Sequence, residues 1–272
     1  MADERSRNPH AELVRKIHFD VPHSARIWNY WMGGKDNYPV DRAAGDAYAE
    51  MYPDVVTIAM QSRQFLIRTV CFLAGEAGMR QFLDIGTGLP TLQNTHEVAQ
   101  QVAPESRVVY VDNDPLVLAH ARALLRNTTP EGVTTYVDAD FHDPELIIAD
   151  ARNVLNFTQP VAVMFMGVLG HVAEFGEVRS IVARVMSAVP SGSYLTLYDG
   201  TENEAHLEAA KKYAETGAVP YNLRSPEQVG QCFEGLEMVD PGLVSITQWR
   251  PDTVEIGKVE PIDAYGAVAR KP

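Results

Sequence analysis

From residue 81 onward the chain alternates short apolar runs with helical segments, and this alternation limits its possible fold more than any other feature. The runs are QFLDI (81–85), RVVYVD (107–112), VTTYVDA (133–139), VAVMFM (161–166) and SYLTLYD (193–199). Strands that are apolar on both sides need cover on both faces, as in a parallel sheet. The gaps are long enough to hold crossover helices. Helix starts are explicit within them. Asp114-Pro115 and Asp143-Pro144 each place a capping carboxylate before a proline, and Asn94 with Glu97 and Ser225 with Gln228 read as capping boxes. Two late runs, LVSITQW (243–249) and AYGAVAR (264–270), have no evident helix between them and are expected to pair as an antiparallel edge. The pattern predicts an α/β fold: a doubly wound, mostly parallel sheet of about seven strands over residues 81–272.

The first 80 residues have a different texture. Residues 1–22 are polar and mixed in charge, and read as a loose arm. Residues 24–80 read as helical. SARIWNYWM places Ile27, Tyr30 and Trp31 on one side at spacings of three and four. GGKDNYP (33–39) interrupts the pattern, and a later helical stretch closes at Gly75 and Gly78. The segment is expected to form a helical cap or lid over the sheet domain.

Composition narrows the class of protein. At 272 residues and 46% hydrophobic content, the chain can bury one sizeable core. Its formal net charge of −13 disfavours a nucleic-acid partner, which would require basic neutralisation of phosphates. The longest apolar run, residues 161–170, is about half of the ~20 residues that a membrane helix needs, so no membrane partner is expected. The charged N-terminus carries no secretory signal, which makes the cytoplasm the expected compartment. Cys71 and Cys232 lie outside any paired motif and are expected to be reduced, buried thiols.

Ligands of open α/β sheets sit beyond the carboxyl ends of the strands. The first strand ends in LDIGTG, where Gly86, Thr87 and Gly88 allow a sharp bend and a close ligand. A dinucleotide fingerprint would want a third glycine at position 91, but Thr91 stands there behind Pro90. The second strand ends in YVDND, where Asp112 is placed to accept both hydroxyls of a ribose and Asn113 adjoins it. Asp112 also has the plainer reading of a strand terminator. The third strand ends in VDADF. Asp140 there can accept from an exocyclic amine, and Phe141 can lie against a flat base or simply fill the core. Together these ends describe an adenosine site without a phosphate cradle. S-adenosylmethionine is such a ligand, with Asp84 attracting its ammonium.

LDIGTG, VVYVDNDP and DADF resemble the successive cofactor motifs of class I S-adenosylmethionine-dependent methyltransferases. More narrowly, ARIWNYWMGGKDNYPVDRAA, QFLDIGTGLPT, ARALL and the final YGAVARKP resemble the S-adenosyl methyltransferase family over roughly residues 20–271. The resemblance implies a Rossmann-like sheet and S-adenosyl-L-methionine as cofactor, but it names no acceptor.

Further candidates lie around these motifs. Gly34, Lys35, Asp36 and Asn37 are candidates for a lid over the cofactor, against the alternative of a plain interhelical turn. Arg63 is a candidate for the pocket, against a solvated helix face. Met166 and Gly167 open a segment expected to line the seam between cofactor and acceptor. His171 is the candidate general base, ahead of His96, because an unperturbed imidazole titrates near neutrality. Tyr198 and Asp199 are expected to face the acceptor. The expected activity is methyl transfer to a small molecule. The rival readings are a non-catalytic binding or regulatory protein and, more remotely, an NAD-dependent oxidoreductase.

Overall fold

The computed structural model describes residues 19–91, 93–124, 126–251 and 260–272. Most of the expected N-terminal arm therefore lies outside the described residues. Three helices come first: α1 (Ser24–Trp31), α2 (Pro39–Met51) and α3 (Asp54–Cys71), the last running on into a π turn at Phe72–Glu76. Strands and helices then alternate: β1 (Gln81–Ile85), α4 (Thr95–Val102), β2 (Arg107–Asp112), α5 (Pro115–Leu124), β3 (Val133–Asp138) and α6 (Pro144–Ala151). β4 (Ala162–Met166), α7 (Phe175–Ala188), β5 (Tyr194–Gly200), α8 (Glu204–Ala214) and α9 (Pro226–Gln231) follow. The chain closes with β6 (Glu237–Met238), β7 (Val244–Ser245) and β8 (Ala264–Arg270).

The strands form one sheet in the order β3-β2-β1-β4-β5-β8-β6, with β7 also paired to β8. β1 to β5 run parallel, and β8 is antiparallel to β5, β6 and β7. The sheet thus has eight strands where the sequence predicts about seven. The additional one, β6, is two exposed residues with no apolar run to announce it. The late run 243–249 is strand only at Val244–Ser245. After it the chain turns, with Gln248 N donating to Ser245 O, and tucks Trp249 edge-on against Phe65 and Phe72. Burying that indole overrides the β pattern. Within 243–249 and 264–270 the expected antiparallel pairing does form, but β6, not β7, ends the strand order.

Alternation along each strand sends side chains to two cores. Leu83 and Ile85 of β1 join Val109, Phe165 and Leu197 on the face covered by α6, α7 and α9. Phe82 of β1 joins Val108, Met164 and Val268 on the face covered by α3 and α4, where Phe65 and Val70 are fully buried. Both cysteines are expected inside. Cys232 is buried, but Cys71 is exposed, because the last turn of α3 directs Thr69 and Val70 inward instead.

The local signals act as the sequence reads them. Asp114 and Asp143 cap α5 and α6 through their side chains. Asn94 with Glu97 and Ser225 with Gln228 form their capping boxes. Ile27, Tyr30 and Trp31 do share a face, and all three crowd Gly45 of α2, where a Cβ would lie 3.1–3.3 Å from each.

Candidate active site

A cavity of about 360 Å³ opens at the carboxyl ends of β1, β2, β4 and β5, beneath α1, α2 and α3. Its floor is the turn after β1. Gly86 and Gly88 both have positive φ, at 74° and 67°, which side chains rarely adopt. At Gly86 a Cβ would also lie 2.3–2.8 Å from the Val168 side chain. This glycine therefore serves the sharp bend that the sequence predicts and also close packing against the β4 exit, which the sequence does not reveal. The amides of the turn are already bonded. Gly86 N and Thr87 N donate to Val111 O at 2.8 and 3.3 Å, and Gly88 N donates to Asp112 Oδ2 at 2.8 Å. A pyrophosphate would need such amides free, so the turn suits a ligand without phosphate.

Asp84 lies 3% exposed beneath this turn and accepts from Thr95 Oγ1 at 2.7 Å. Burial lifts its carboxyl to about 6, opposed by the Thr95 hydrogen bond and the Arg63 charge. Arg63, reaching the cavity from α3, has a buried Nε without a hydrogen-bond partner among the described residues. Burial pushes its pKa down, with Asp84 the leading charge acting the other way. The cavity thus holds a cation and a carboxylate that act on each other from α3 and β1.

Asp112 also lines the cavity. Its Oδ2 accepts from Gly88 N and its Oδ1 from Asp114 N at 2.9 Å. A carboxylate has about four acceptor sites, so two remain for a ligand. Asn113, Asp140 and Phe141 lie at the same end. Asp140 is already engaged: its Oδ1 holds His142 N and Nδ1, and its Oδ2 holds Asn113 Nδ2 at 3.0 Å. Burial raises its pKa, but the His142 and Asn113 contacts outweigh that and leave it below the usual value.

Met166, Gly167 and His171 line the β4 side of the cavity. Gly167 has φ 78°, and a Cβ there would lie 2.6 Å from Tyr198 Oη. His171 Nδ1 lies 3.0 Å from Pro220 O, so this nitrogen carries the proton and leaves Nε2 as the acceptor. Burial lowers its pKa despite that hydrogen bond.

The structure does not bring every candidate to the cavity wall. Gly34, Lys35, Asp36 and Asn37 are not among its lining residues. Their loop is tied elsewhere. Asn29 Oδ1, buried in α1, accepts from Asp36 N and Asn37 Nδ2 at 3.0 Å each, and a Cβ on Gly34 would collide with Asn29. Asp36 also meets His120 of α5 at 3.1 Å. His96 is bonded to Tyr110 Oη and lies outside the cavity. Tyr198 lines it, but Asp199 is taken up by Tyr221, Arg224 and Gly200 N. The sequence reading missed Thr95, Tyr110, Trp28, Tyr48, His206 and Tyr213, all of which line the cavity. Thr95 follows the capping Asn94, Tyr110 stands two residues before Asp112, and Trp28 lies within SARIWNYWM, whereas Tyr48, His206 and Tyr213 stand near no such signal.

The strand order, with five parallel strands and an antiparallel edge, defines a class I methyltransferase fold. The chain belongs to the S-adenosyl methyltransferase family, whose model matches residues 10–272. It is accordingly an S-adenosyl-L-methionine-dependent methyltransferase, and the family leaves its acceptor open. Among solved structures it is similar to a DUF574 family protein from Streptomyces avermitilis MA-4680, with 46% identity and a TM-score of 0.87 over 93% of this chain and 99% of that one. It is also similar to a candidate methyltransferase from Thermobifida fusca YX, with 38% identity and a TM-score of 0.86 over 97% and 98% of the two chains. No curated protein matches the chain. No helix among the described residues is long and apolar enough to cross a membrane.

Proposed function

We propose that the cavity holds S-adenosyl-L-methionine by its two polar ends and delivers its methyl group to a small-molecule acceptor in the cytoplasm. The observation that carries this reading is that Arg63 and Asp84 line the same cavity and feel each other's charge. An amino-acid tail is a zwitterion. A buried guanidinium with an unpartnered Nε suits its carboxylate, and the Asp84 carboxylate suits its ammonium. At the other end Asp112 has acceptor sites left for the ribose hydroxyls, and Asn113 and Phe141 border the base. Asp140 contributes mainly by fixing Asn113 and His142.

The bound cofactor supplies an activated methyl group on a sulfonium. The chain's own part is to align the acceptor with that group and to exclude water. Met166 and Gly167 line the side where an acceptor would meet the methyl group, and His171 stands beside them, its Nε2 without a hydrogen bond among the described residues. The net charge of −13 and a cavity of only about 360 Å³ favour a small acceptor over a nucleic acid.

A thermal-shift panel of S-adenosylmethionine, S-adenosylhomocysteine, NAD and ATP tests the cofactor site. A ligand at about 100 times its Kd adds ~2.7 kcal/mol of stability. The two sulfur nucleosides are expected to stabilise the protein, and Asp112→Ala to weaken that response at least tenfold in Kd. A response to NAD alone would overturn the reading. Transfer of labelled methyl groups to components of a cell extract, present with the native chain and lost in Asp112→Ala, separates an enzyme from a binding protein.

A further inference from the structure

The cavity does not end at the cofactor motifs. Beyond the tips of β4 and β5 it continues under α1 and α2 as an aromatic chamber walled by Trp28, Trp31, Tyr48 and Tyr213. These rings meet edge to face, with centroids 5.6 Å apart for Trp28–Trp31, 5.6 Å for Trp31–Tyr48 and 6.2 Å for Tyr48–Tyr213. Apart from histidines, the lining side chains that are charged at neutral pH are Arg63, Asp84, Asp112 and Asp140, all on the cofactor side. An anionic acceptor entering the aromatic end would lose its hydration with no Arg or Lys among the lining residues there to pair with it, which is costly. A flat, neutral ring fits these walls, because edge-to-face and offset contacts each add ~0.5–1.5 kcal/mol beyond burial.

His206 stands in the same chamber, 4% exposed, beside Gly200 at the end of β5. Its Nδ1 lies 3.0 Å from Thr201 O, which places the proton on Nδ1. Its Nε2 makes no hydrogen bond among the described residues. Tyr52 stacks on the ring at 4.2 Å and 16°, and Tyr52 Oη donates to Asp263 Oδ2 at 2.7 Å. Burial lowers the pKa of His206, opposed by the Thr201 hydrogen bond and the Asp263 charge, and burial lowers that of His171 as well. Of the two histidines, His206 is the one whose ring stands among the aromatic walls, with its centroid 6.0 Å from that of Tyr48.

We infer that the chamber binds a small, neutral, planar aromatic molecule bearing a hydroxyl group, and that His206 Nε2 receives the hydroxyl proton as that oxygen is methylated. This rests on the cofactor reading above. The acceptor O–H bond breaks and its proton goes to Nε2. The oxygen's electron pair forms the new O–CH3 bond, the S–CH3 pair leaves on sulfur, and nothing is oxidised or reduced. Tyr52 and Asp263 are positioning residues for His206.

The test uses the full chain with 2-naphthol and 7-hydroxycoumarin as probes, and benzoate as a charged comparison. Binding to the protein loaded with S-adenosylhomocysteine is read by calorimetry and tryptophan fluorescence, and turnover by mass detection of the methyl ether. The neutral phenols are expected to bind at least tenfold more tightly than benzoate and to be methylated. His206→Gln, and His206→Phe, which keeps a ring over Tyr52, should lower kcat at least 100-fold, as loss of a general base does. Both should hold the affinities for 2-naphthol and S-adenosylhomocysteine within about threefold. If neither phenol binds while S-adenosylhomocysteine does, the acceptor inference is overturned and the cofactor reading stands. If S-adenosylhomocysteine itself fails to bind the native chain, both fall. A kcat within threefold of native in the His206 variants, or a larger loss in His171→Gln, removes His206 as the base.

Discussion

Arg63 concentrates the tension between stability and function in one side chain. Its guanidinium is drawn into the cavity, and its buried Nε lacks a hydrogen bond among the described residues. An unsatisfied buried donor costs ~1–3 kcal/mol, and more when it is charged. A ligand carboxylate would remove that cost, so the residue is a liability in the empty protein and an asset in the complex. Arg63→Met, similar in length and apolar, is therefore expected to raise the melting temperature of the ligand-free protein by roughly 2–4 °C, the equivalent of ~1 kcal/mol in a chain of this size. The same change should weaken S-adenosylhomocysteine at least tenfold in calorimetry. A variant that melts lower and binds normally would show that Arg63 is structural.

At the scale of elements, the cap depends on one carboxylate. Asp41 is fully buried in the first turn of α2. Its Oδ1 accepts from His23 N at 2.9 Å and Arg26 Nε at 3.0 Å, and its Oδ2 from Tyr38 N at 2.8 Å. It thereby fixes the starts of both α1 and α2, and through them the wall made by Trp28, Trp31 and Tyr48. His23 continues the tie to the cofactor end, its Nε2 lying 2.9 Å from Asp114 Oδ2. Removing one partner of a buried pair leaves the other charge uncompensated and costs ~3–5 kcal/mol. Asp41→Ala should show a loss of that size in urea unfolding. It should also speed hydrogen exchange in α1 and α2 more than in β1 to β5. A loss under about 1 kcal/mol would mean that solvent already reaches Arg26. The sequence places these helices but says nothing of the pair, since no local spacing links Arg26 to Asp41 fifteen residues later.

Across the whole molecule, the two carboxylates most lifted by burial are Asp84 and Asp199, each to about 6. Between the ordinary value near 4 and about 6 the native chain holds protons that the unfolded chain has released. The contribution of these groups to stability therefore falls as pH rises through that window, and the penalty is complete above it. Asp199 has Tyr221 and Arg224 in place permanently. Asp84 has Thr95 and the charge of Arg63, and a cationic ligand would complete its surroundings. Asp84→Asn is expected to stabilise the ligand-free protein at pH 7.5 by about 3 kcal/mol, the equivalent of a carboxyl lifted to about 6, to show little difference at pH 4, and to weaken S-adenosylmethionine binding. Chemical denaturation at the two pH values measures this. A variant less stable than native at pH 7.5 would contradict it.

What the sequence determined by itself is what local chemistry can determine. Five apolar runs became β1 to β5 nearly residue for residue, and the capping carboxylates and prolines fixed the helix starts, because those signals act between residues two to four positions apart. Asp84 and Asp112 were legible as residues of the crevice because a strand end in a parallel sheet has only one place to point, and both line the cavity. Tertiary structure alone decided the rest. It shortened β7 so that Trp249 could be buried, required Gly86 for the sake of Val168, and set the GGKDN loop on Asn29 and His120. It also gathered Arg63, Trp28, Tyr48 and His206 around one cavity, from helices whose periodic patterns show only that a face is buried. Which atoms meet across that face depends on packing between segments up to a hundred and eighty residues apart, and no local pattern in a single chain encodes it.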